Sequence, residues 1–425
     1  MKKGLFAMSA LFGATAVFGS GFQTLEQGAS NLGTALAGSS VNANADASAA
    51  FWNPSSGFNA GLKVGETKVD LAGNIVISKF DFVCTKAVSN FPPEPNPIDG
   101  RTGKSGDAGC VNVIPNFFVL HQLTEDILLS LSVTAPYALE TDYDDDWVGR
   151  QMALNSNLTT FDINPSVAYK INDYLSISGG VSAQWLHANL SSSPDLINEY
   201  TVTGSSWSVG GNIGFTVNYA EDGRFGFQWR SEVSHNITGN NHRNDSVIYP
   251  VECDVDLPQS FTVGWYQRLR GDLKRFALMI DYSYTLWSCF DRLYISNTAD
   301  PSNPACNQDE DWRNTSRVCA GIHFFPLEND DLVIRLGTAW DQTPIKDSKH
   351  RYARIPCTDR IWFSGGIGYK YENFNIDLAY TYILFCDEPN MNDKTTINGL
   401  PFSSEIEGYF EGRAHVVSVQ IGYKF

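Results

Sequence analysis

The last eleven residues, His415 to Phe425, constrain the fold more than any other stretch. Counting back from Phe425, the apolar residues Tyr423, Ile421, Val419 and Val417 alternate with Lys424, Gly422, Gln420 and Ser418. Period-two alternation describes a strand with one apolar face and one polar face. The strand finishes on an aromatic residue. Such a strand either edges a soluble sandwich or closes a sheet whose apolar face meets lipid. The rest of the chain decides between them.

The opposite end argues for export. Met1-Lys2-Lys3 is basic, Leu5 to Phe18 is apolar but diluted by small residues, and Gly19 and Ser20 are small. This is the layout of a secretory signal peptide, assigned to residues 1–19. No later stretch offers about 18 consecutive apolar residues, so no transmembrane helix is readable. A membrane-embedded chain without helices must be a closed barrel, because lipid cannot satisfy an open sheet edge. The mean hydropathy of −0.20 fits strands in which only alternate residues meet lipid. A net charge of −17 argues against a nucleic-acid partner, which requires basic patches. The run Asp142, Asp144, Asp145 and Asp146 reads as a solvated loop.

From about residue 62 onward, two kinds of connection alternate strictly. Short polar turns such as Asn172-Asp173, Arg270-Gly271-Asp272 and Glu372-Asn373 take turns with long segments such as 85–110, 139–156 and 387–408. Outer-membrane barrels segregate their connections this way. Fourteen strands follow, from 62–84 to 409–425, giving an all-β fold: a 14-stranded antiparallel transmembrane β-barrel over residues 61–425. Phe276, Leu278, Ile280, Tyr282 and Tyr284 share one face, as do Ile376, Leu378, Tyr380 and Tyr382. Trp185, Trp287, Trp340, Trp362 and Tyr423 are expected in interfacial girdles. Residues 20–60 differ: they are rich in Ala, Ser, Asn and Gly, lack alternation, and are interrupted by Gly28, Gly33 and Gly38. They are expected to form an N-terminal hatch inside the lumen.

At this point the chain resembles the FadL family of outer-membrane transporters of long-chain fatty acids and toluene-type hydrophobic compounds. Six blocks carry the resemblance. The first holds Gly21-Phe22-Gln23, Glu26-Gln27, Leu32-Gly33, Ala45-Asp46-Ala47-Ser48 and Asn53-Pro54, similar to the family's hatch. The others are Ala135-Pro136-Tyr137 with Asp146-Trp147-Val148-Gly149-Arg150, Asn164-Pro165-Ser166, Trp229-Arg230-Ser231, Leu257-Pro258-Gln259 with Trp287-Ser288, and Arg354-Ile355-Pro356-Cys357-Thr358-Asp359-Arg360-Ile361-Trp362. The chain departs from the pattern at Cys357, where an acidic residue is usual, at Ala138, where Gly is usual, and in a short Ser191–Thr203 loop.

The resemblance implies passive uptake of a hydrophobic small molecule, held in an apolar luminal site and released when the hatch rearranges. Outer-membrane lipid and lipopolysaccharide are the implied surroundings. Relatives are expected to release ligand sideways beside the third strand, where Pro136 falls; proline cannot donate to a ladder and marks a break. For a fatty-acid headgroup, Arg313 and His187 fall where the family places basic residues, with Arg230 and Arg150 as alternatives. No nucleophile elbow, cofactor loop or metal-ligand spacing stands out, so no enzyme, cofactor or metal is expected. The alternative reading is a general diffusion porin or adhesin-like surface barrel, which has no reason to carry Gly21 to Asn53.

Eight cysteines in an oxidising compartment suggest disulfides. Pairing Lys370 with Asn373 across a turn at Tyr371-Glu372 sets Cys357 opposite Cys386, with matching outward parity, so this pair is expected to bond. Cys84 and Cys110 bracket the first long loop and form the second expected pair.

Overall fold

A computed structural model describes residues 20–90, 98–386, 389–396 and 403–425. The signal-peptide assignment lies outside the described residues. Fourteen antiparallel strands close into a barrel. They are β1 (Thr67–Ser89), β2 (Val111–Gln122), β3 (Ile127–Thr134), β4 (Asn155–Lys170), β5 (Leu175–Ser192), β6 (Tyr200–Ala220) and β7 (Gly223–Arg230). Then follow β8 (Ser260–Arg268), β9 (Phe276–Thr285), β10 (Thr315–Phe324), β11 (Leu332–Asp341), β12 (Arg360–Tyr371), β13 (Phe374–Phe385) and β14 (Ser403–Lys424). The C-terminal strand read from the sequence is the closing one: β14 pairs with β1 from Lys68↔Lys424 to Ser89↔Ser404 and with β13 on its other side.

Alternation sets the two faces. Leu71, Ile75, Val417, Val419 and Ile421 are exposed on the outer surface, while Asp70, Asn74, Ser418 and Gln420 between them are buried. The expected faces of β9 and β13 are outward, with Ile280, Tyr282, Ile376, Leu378 and Tyr380 exposed. A belt of this kind is unfavourable in water and favourable against acyl chains. Trp185 and Trp207 pair on it at the long-loop end. Trp287 and Trp362 do not belong to it. Both are fully buried inside the barrel, Trp362 beneath the Arg317 guanidinium at 5.0 Å. Parity was the missing argument: Trp362 alternates with the outward Ile361 and Phe363.

Several strands outrun the expected bounds. β1 continues to Ser89, β14 starts at Ser403, and Val233–Arg243, Ser246–Leu257 and Arg292–Asn297 extend the sheet on the long-loop side. The hairpin of β12 and β13 has a different register from the expected one. Lys370 faces Asn375, so the turn is Glu372-Asn373, with Glu372 at φ 54°. The shift puts Asp359 beside Cys386, whose N–H donates to its carbonyl at 2.9 Å. Cys357 is buried while Cys386 is exposed, and the two are not bonded. Cys84 and Cys110 are not bonded either. Cys110 lies beside Ser78, with the Ser78 N–H donating to the Cys110 carbonyl at 3.0 Å. Cys84 is six positions further along β1, roughly 20 Å at ~3.3 Å per residue, well beyond disulfide reach.

Inside the ring, every residue from Ser20 to Gly57 is buried except the half-buried Gln23 and Ala45. This luminal segment makes only short elements: α1 (Ala29–Leu32), α2 (Ala49–Trp52) and 3-10 turns at Ser39–Val41 and Pro54–Ala60. Local turn bonds such as Leu32 N to Gly28 O, Ala43 N to Gly38 O and Asn53 N to Ala49 O satisfy part of its backbone, and the barrel wall satisfies further groups. Asp281 accepts from Gly38 N at 2.5 Å and from Ser40 N and Oγ, and Asp70 accepts from Ala47 N at 2.7 Å. Arg317, Lys68, Gln228 and Arg230 donate to the carbonyls of Ala35, Ala45, Phe51 and Phe51. Wall glycines let the two backbones touch: a Cβ at Gly337 would collide with Thr34.

Candidate functional site

The barrel wall is interrupted in its third strand. β2 pairs with β1 along Val111–His121, but on its other side only Phe117–Gln122 pair with β3. After Thr134 the chain turns inward through Ala135-Pro136-Tyr137 and rejoins β4 only at Ala138–Asp142. Both borders of the interruption carry a proline, Pro115 and Pro136, and neither can donate to a ladder. The luminal segment takes up the freed groups. Thr24 N donates to Pro136 O at 2.8 Å, and Ala138 N donates to Phe22 O at 3.0 Å.

Phe22, which this pairing fixes, sits in an aromatic cage. Its ring centroid lies 4.8 Å from Trp287, 5.6 Å from Phe290, 5.8 Å from Trp312 and 6.2 Å from Tyr137. Gly21 makes the seat possible. Its φ is 63°, and a Cβ there would come within 2.6 Å of Trp312 and 2.9 Å of Trp287.

Two cavities lie on either side of this cage and share no lining residue. The one on the long-loop side encloses about 820 Å³ of atom-free space, part of it open to solvent. Its wall is apolar: Leu139, Leu158, Leu190, Val202, Ile237, Val251, Val255, Leu293 and Ile355, with Phe22 as the only luminal-segment residue. Gln308, Glu310, Tyr352 and Arg354 form its polar part. The second cavity is mixed: Gln23, Thr24, Asp162, Arg230, Asp281 and Arg317 line it together with Leu25, Leu36, Phe51, Trp52, Pro136, Tyr137 and Val233. It reaches the interruption at Pro136.

The electrostatics of the polar part follow from burial. Burial pushes Glu310 up from 4.5 to about 8, against hydrogen bonds from Trp312 Nε1 and Gln308 Nε2, each at 3.0 Å. Asp393, behind it, is pushed up to about 7 for the same reason. Enclosure lowers the pKa of Arg354, which nevertheless stays a cation. In the luminal segment, burial raises Glu26 to about 7; its carbonyl accepts from Asn74 and Asn116, and one carboxyl oxygen has no partner.

The sequence candidates distribute unevenly over this geometry. Arg230 faces the second cavity, donates to Phe51 O at 2.6 Å and lies 4.0 Å over the Phe51 ring. Arg313 lines neither cavity; it is part-exposed, with Asp359 at 3.8 Å. His187 has outward parity, stacked on Trp185 at 5.7 Å, while its neighbour Ala188 faces the cavity. Arg150 lies in an outer loop, its carbonyl accepting from Ser193. Gly33 abuts Arg335, Asp46 accepts from Ser48 and Gln420, Asn53 donates to Ser40 O at 2.7 Å, and Pro54 opens a 3-10 turn. Sequence reasoning missed Glu310 and Arg354. Glu310 sits in an acidic run that reads as solvated, and Arg354 was visible only as a motif letter.

A closed barrel with an apolar outer face, an occupied lumen and an apolar internal cavity defines an outer-membrane channel protein. The chain belongs to the outer membrane protein transport protein (OMPP1/FadL/TodX) family, whose model matches residues 10–425. It is 25% identical to outer membrane protein P1 of Haemophilus influenzae over 100% of both chains. It is 23% identical to the long-chain fatty acid transport protein of Escherichia coli K12, again over 100% of both. Among solved structures it resembles a Pseudomonas aeruginosa FadL homologue, with TM-score 0.81 and 21% identity over 95% of this chain and 99% of that one. It also resembles the Ralstonia pickettii toluene transporter TbuX, with TM-score 0.64 and 16% identity over 95% and 99%. The protein is therefore an integral bacterial outer-membrane protein of the FadL/TodX transport type.

Proposed function

We propose that the protein takes up fatty acids or other hydrophobic compounds passively, holding them in the apolar cavity above Phe22. The observation that carries this reading is the cavity itself: a wall of mainly aliphatic side chains left unfilled by the luminal segment and closed below by an aromatic cage. Burying an apolar ligand there gains about 25 cal/mol per Å². This compensates for leaving the membrane or the outside medium without crossing the polar lipopolysaccharide layer.

Residues 20–60 act as the hatch. Because Phe22 and Thr24 are hydrogen-bonded to the interrupted strand, a small shift of this segment opens two things together, the floor of the cavity and the wall beside Pro136. Release is then lateral, into the bilayer. Outward-facing Lys79, Lys86 and Lys104, interleaved with Asp81, Glu407 and Glu411, sit above the apolar belt where lipopolysaccharide head groups lie.

The test is uptake of a labelled fatty acid by cells that depend on this channel. Ala188→Trp fills the cavity from β5. Loss of uptake, with normal heat-modifiable migration of the folded barrel, supports the reading. Unchanged uptake by the filled barrel removes it.

A further inference from the structure

We propose that Arg354 anchors the acidic headgroup of the ligand, so that the ligand lies with its head toward the long loops and its tail on Phe22. This rests on the cavity reading above and assigns a binding residue within it. Arg354 is the only lysine or arginine among the described lining residues of the apolar cavity. Its guanidinium donates from Nη1 to Asn155 O and Ser156 Oγ, both at 3.0 Å, and from Nη2 to Met152 O at 3.1 Å. A guanidinium has five N–H donors, so about two remain, enough for a bidentate carboxylate.

The contrast with other enclosed arginines is informative. Arg335 is paired with Asp377 at 2.7 Å and Arg360 with Asp341 at 2.8 Å. Arg354 has no carboxylate within ion-pair distance among the described residues; its acceptors are two backbone carbonyls and a hydroxyl. Asp393 interacts electrostatically with Arg354 without a direct ion pair, and Glu310 shares the cavity wall; burial works against the charged form of both. An enclosed cation whose direct acceptors are all neutral, with its interacting carboxyl held at a distance and pushed toward its neutral form, is incompletely compensated. A ligand carboxylate supplies the missing charge.

Orientation follows from β4. Ser156, which holds Arg354, lies at the loop end of the strand, while Thr160, lower down, accepts and donates hydrogen bonds with Tyr137 beside Phe22. Four residues separate these levels, roughly 13 Å at ~3.3 Å per residue. Leu158 faces the cavity between them.

The experiment compares binding of dodecanoate and dodecanol to the full protein in lipid nanodiscs, read by tryptophan fluorescence. Arg354→Gln should weaken dodecanoate about 10- to 100-fold, the loss of one charge-assisted contact, and leave dodecanol within about twofold. Arg354→Lys keeps a charge but loses the fork, and should fall between wild type and Arg354→Gln for dodecanoate alone. Arg313→Gln should change neither. Equal losses for both ligands in the Arg354 variants would reduce Arg354 to a loop-holding role and overturn the inference. A dodecanoate-specific loss in Arg313→Gln instead would move the anchor there. Binding of neither ligand to the wild type would remove the cavity reading itself.

Discussion

The two halves of the lumen are built from the same strands, and along β4 and β5 their inward faces differ in chemistry, although on other strands apolar wall residues such as Ile114, Phe118, Leu120 and Leu128 pack on the luminal segment. On the turn side, inward positions of β4 and β5 are Asp162, Asn164, Ser178, Ser182 and Gln184. On the loop side they become Leu158, Leu186, Ala188 and Leu190. The polar half is occupied by a segment of the chain itself, whose backbone needs donors and acceptors that the wall supplies. The apolar half offers a peptide backbone few partners, its polar groups being confined to Thr203, Gln308, Glu310, Tyr352 and Arg354. Phe22 sits at the border, the one aromatic residue of the luminal segment that faces the apolar side.

The most drastic way to break this division is to remove the luminal segment. Deleting residues 20–53 should leave a barrel that inserts and conducts ions freely in planar bilayers. Conductance as low as the intact protein's would mean the segment does not occlude the lumen.

Next in size is the border. Phe22→Ala empties the aromatic cage, and truncations of this kind cost about 3–5 kcal/mol locally. The segment should detach more readily, seen as faster amide exchange over residues 20–28 and frequent channel openings. Gly21→Ala should do the same by steric displacement from Trp312 and Trp287.

A smaller effect tests the polar half alone. Asp281→Asn weakens the contacts to Gly38 and Ser40, worth roughly 1.5–3 kcal/mol as charge-assisted hydrogen bonds. Protection should fall around residues 38–40 while ligand affinity at the apolar cavity stays within about twofold.

The smallest expected effect is that of pH. Glu310 has a folded pKa of about 8 against an ordinary 4.5, so the folded state binds the extra proton. Stability from this group is full below the ordinary value and is lost as pH rises through about 8. Ionisation also places a negative charge on the ligand-bearing wall. Carboxylate affinity should drop about tenfold between neutral and alkaline pH, the scale of ~1.5 kcal/mol of repulsion. Glu310→Gln should flatten that drop, and a drop persisting in the variant would assign it elsewhere.

The barrel was readable because alternation and segregated connections act along the whole chain and need no partner to be recognised. The closing strand and the faces of β9 and β13 follow directly from period two. The site was less readable, since it depends on relations between distant residues. Strand register is one such relation: a turn at Glu372-Asn373 instead of Tyr371-Glu372 moves Cys357 away from Cys386. Burial is another. Glu310 sits between Asp309 and Asp311, both exposed, and nothing local separates it from them. Trp287 and Trp362 resemble girdle residues by their position near strand ends; parity turns Trp362 inward, and a 3-10 turn at Trp287–Cys289 after β9 turns Trp287 inward.

A structure with a tail-brominated fatty acid tests the central claim most directly. The account predicts anomalous bromine density in the apolar cavity against Phe22, with the carboxylate at Arg354. Bromine density confined to the outer belt, with the cavity empty, would contradict it.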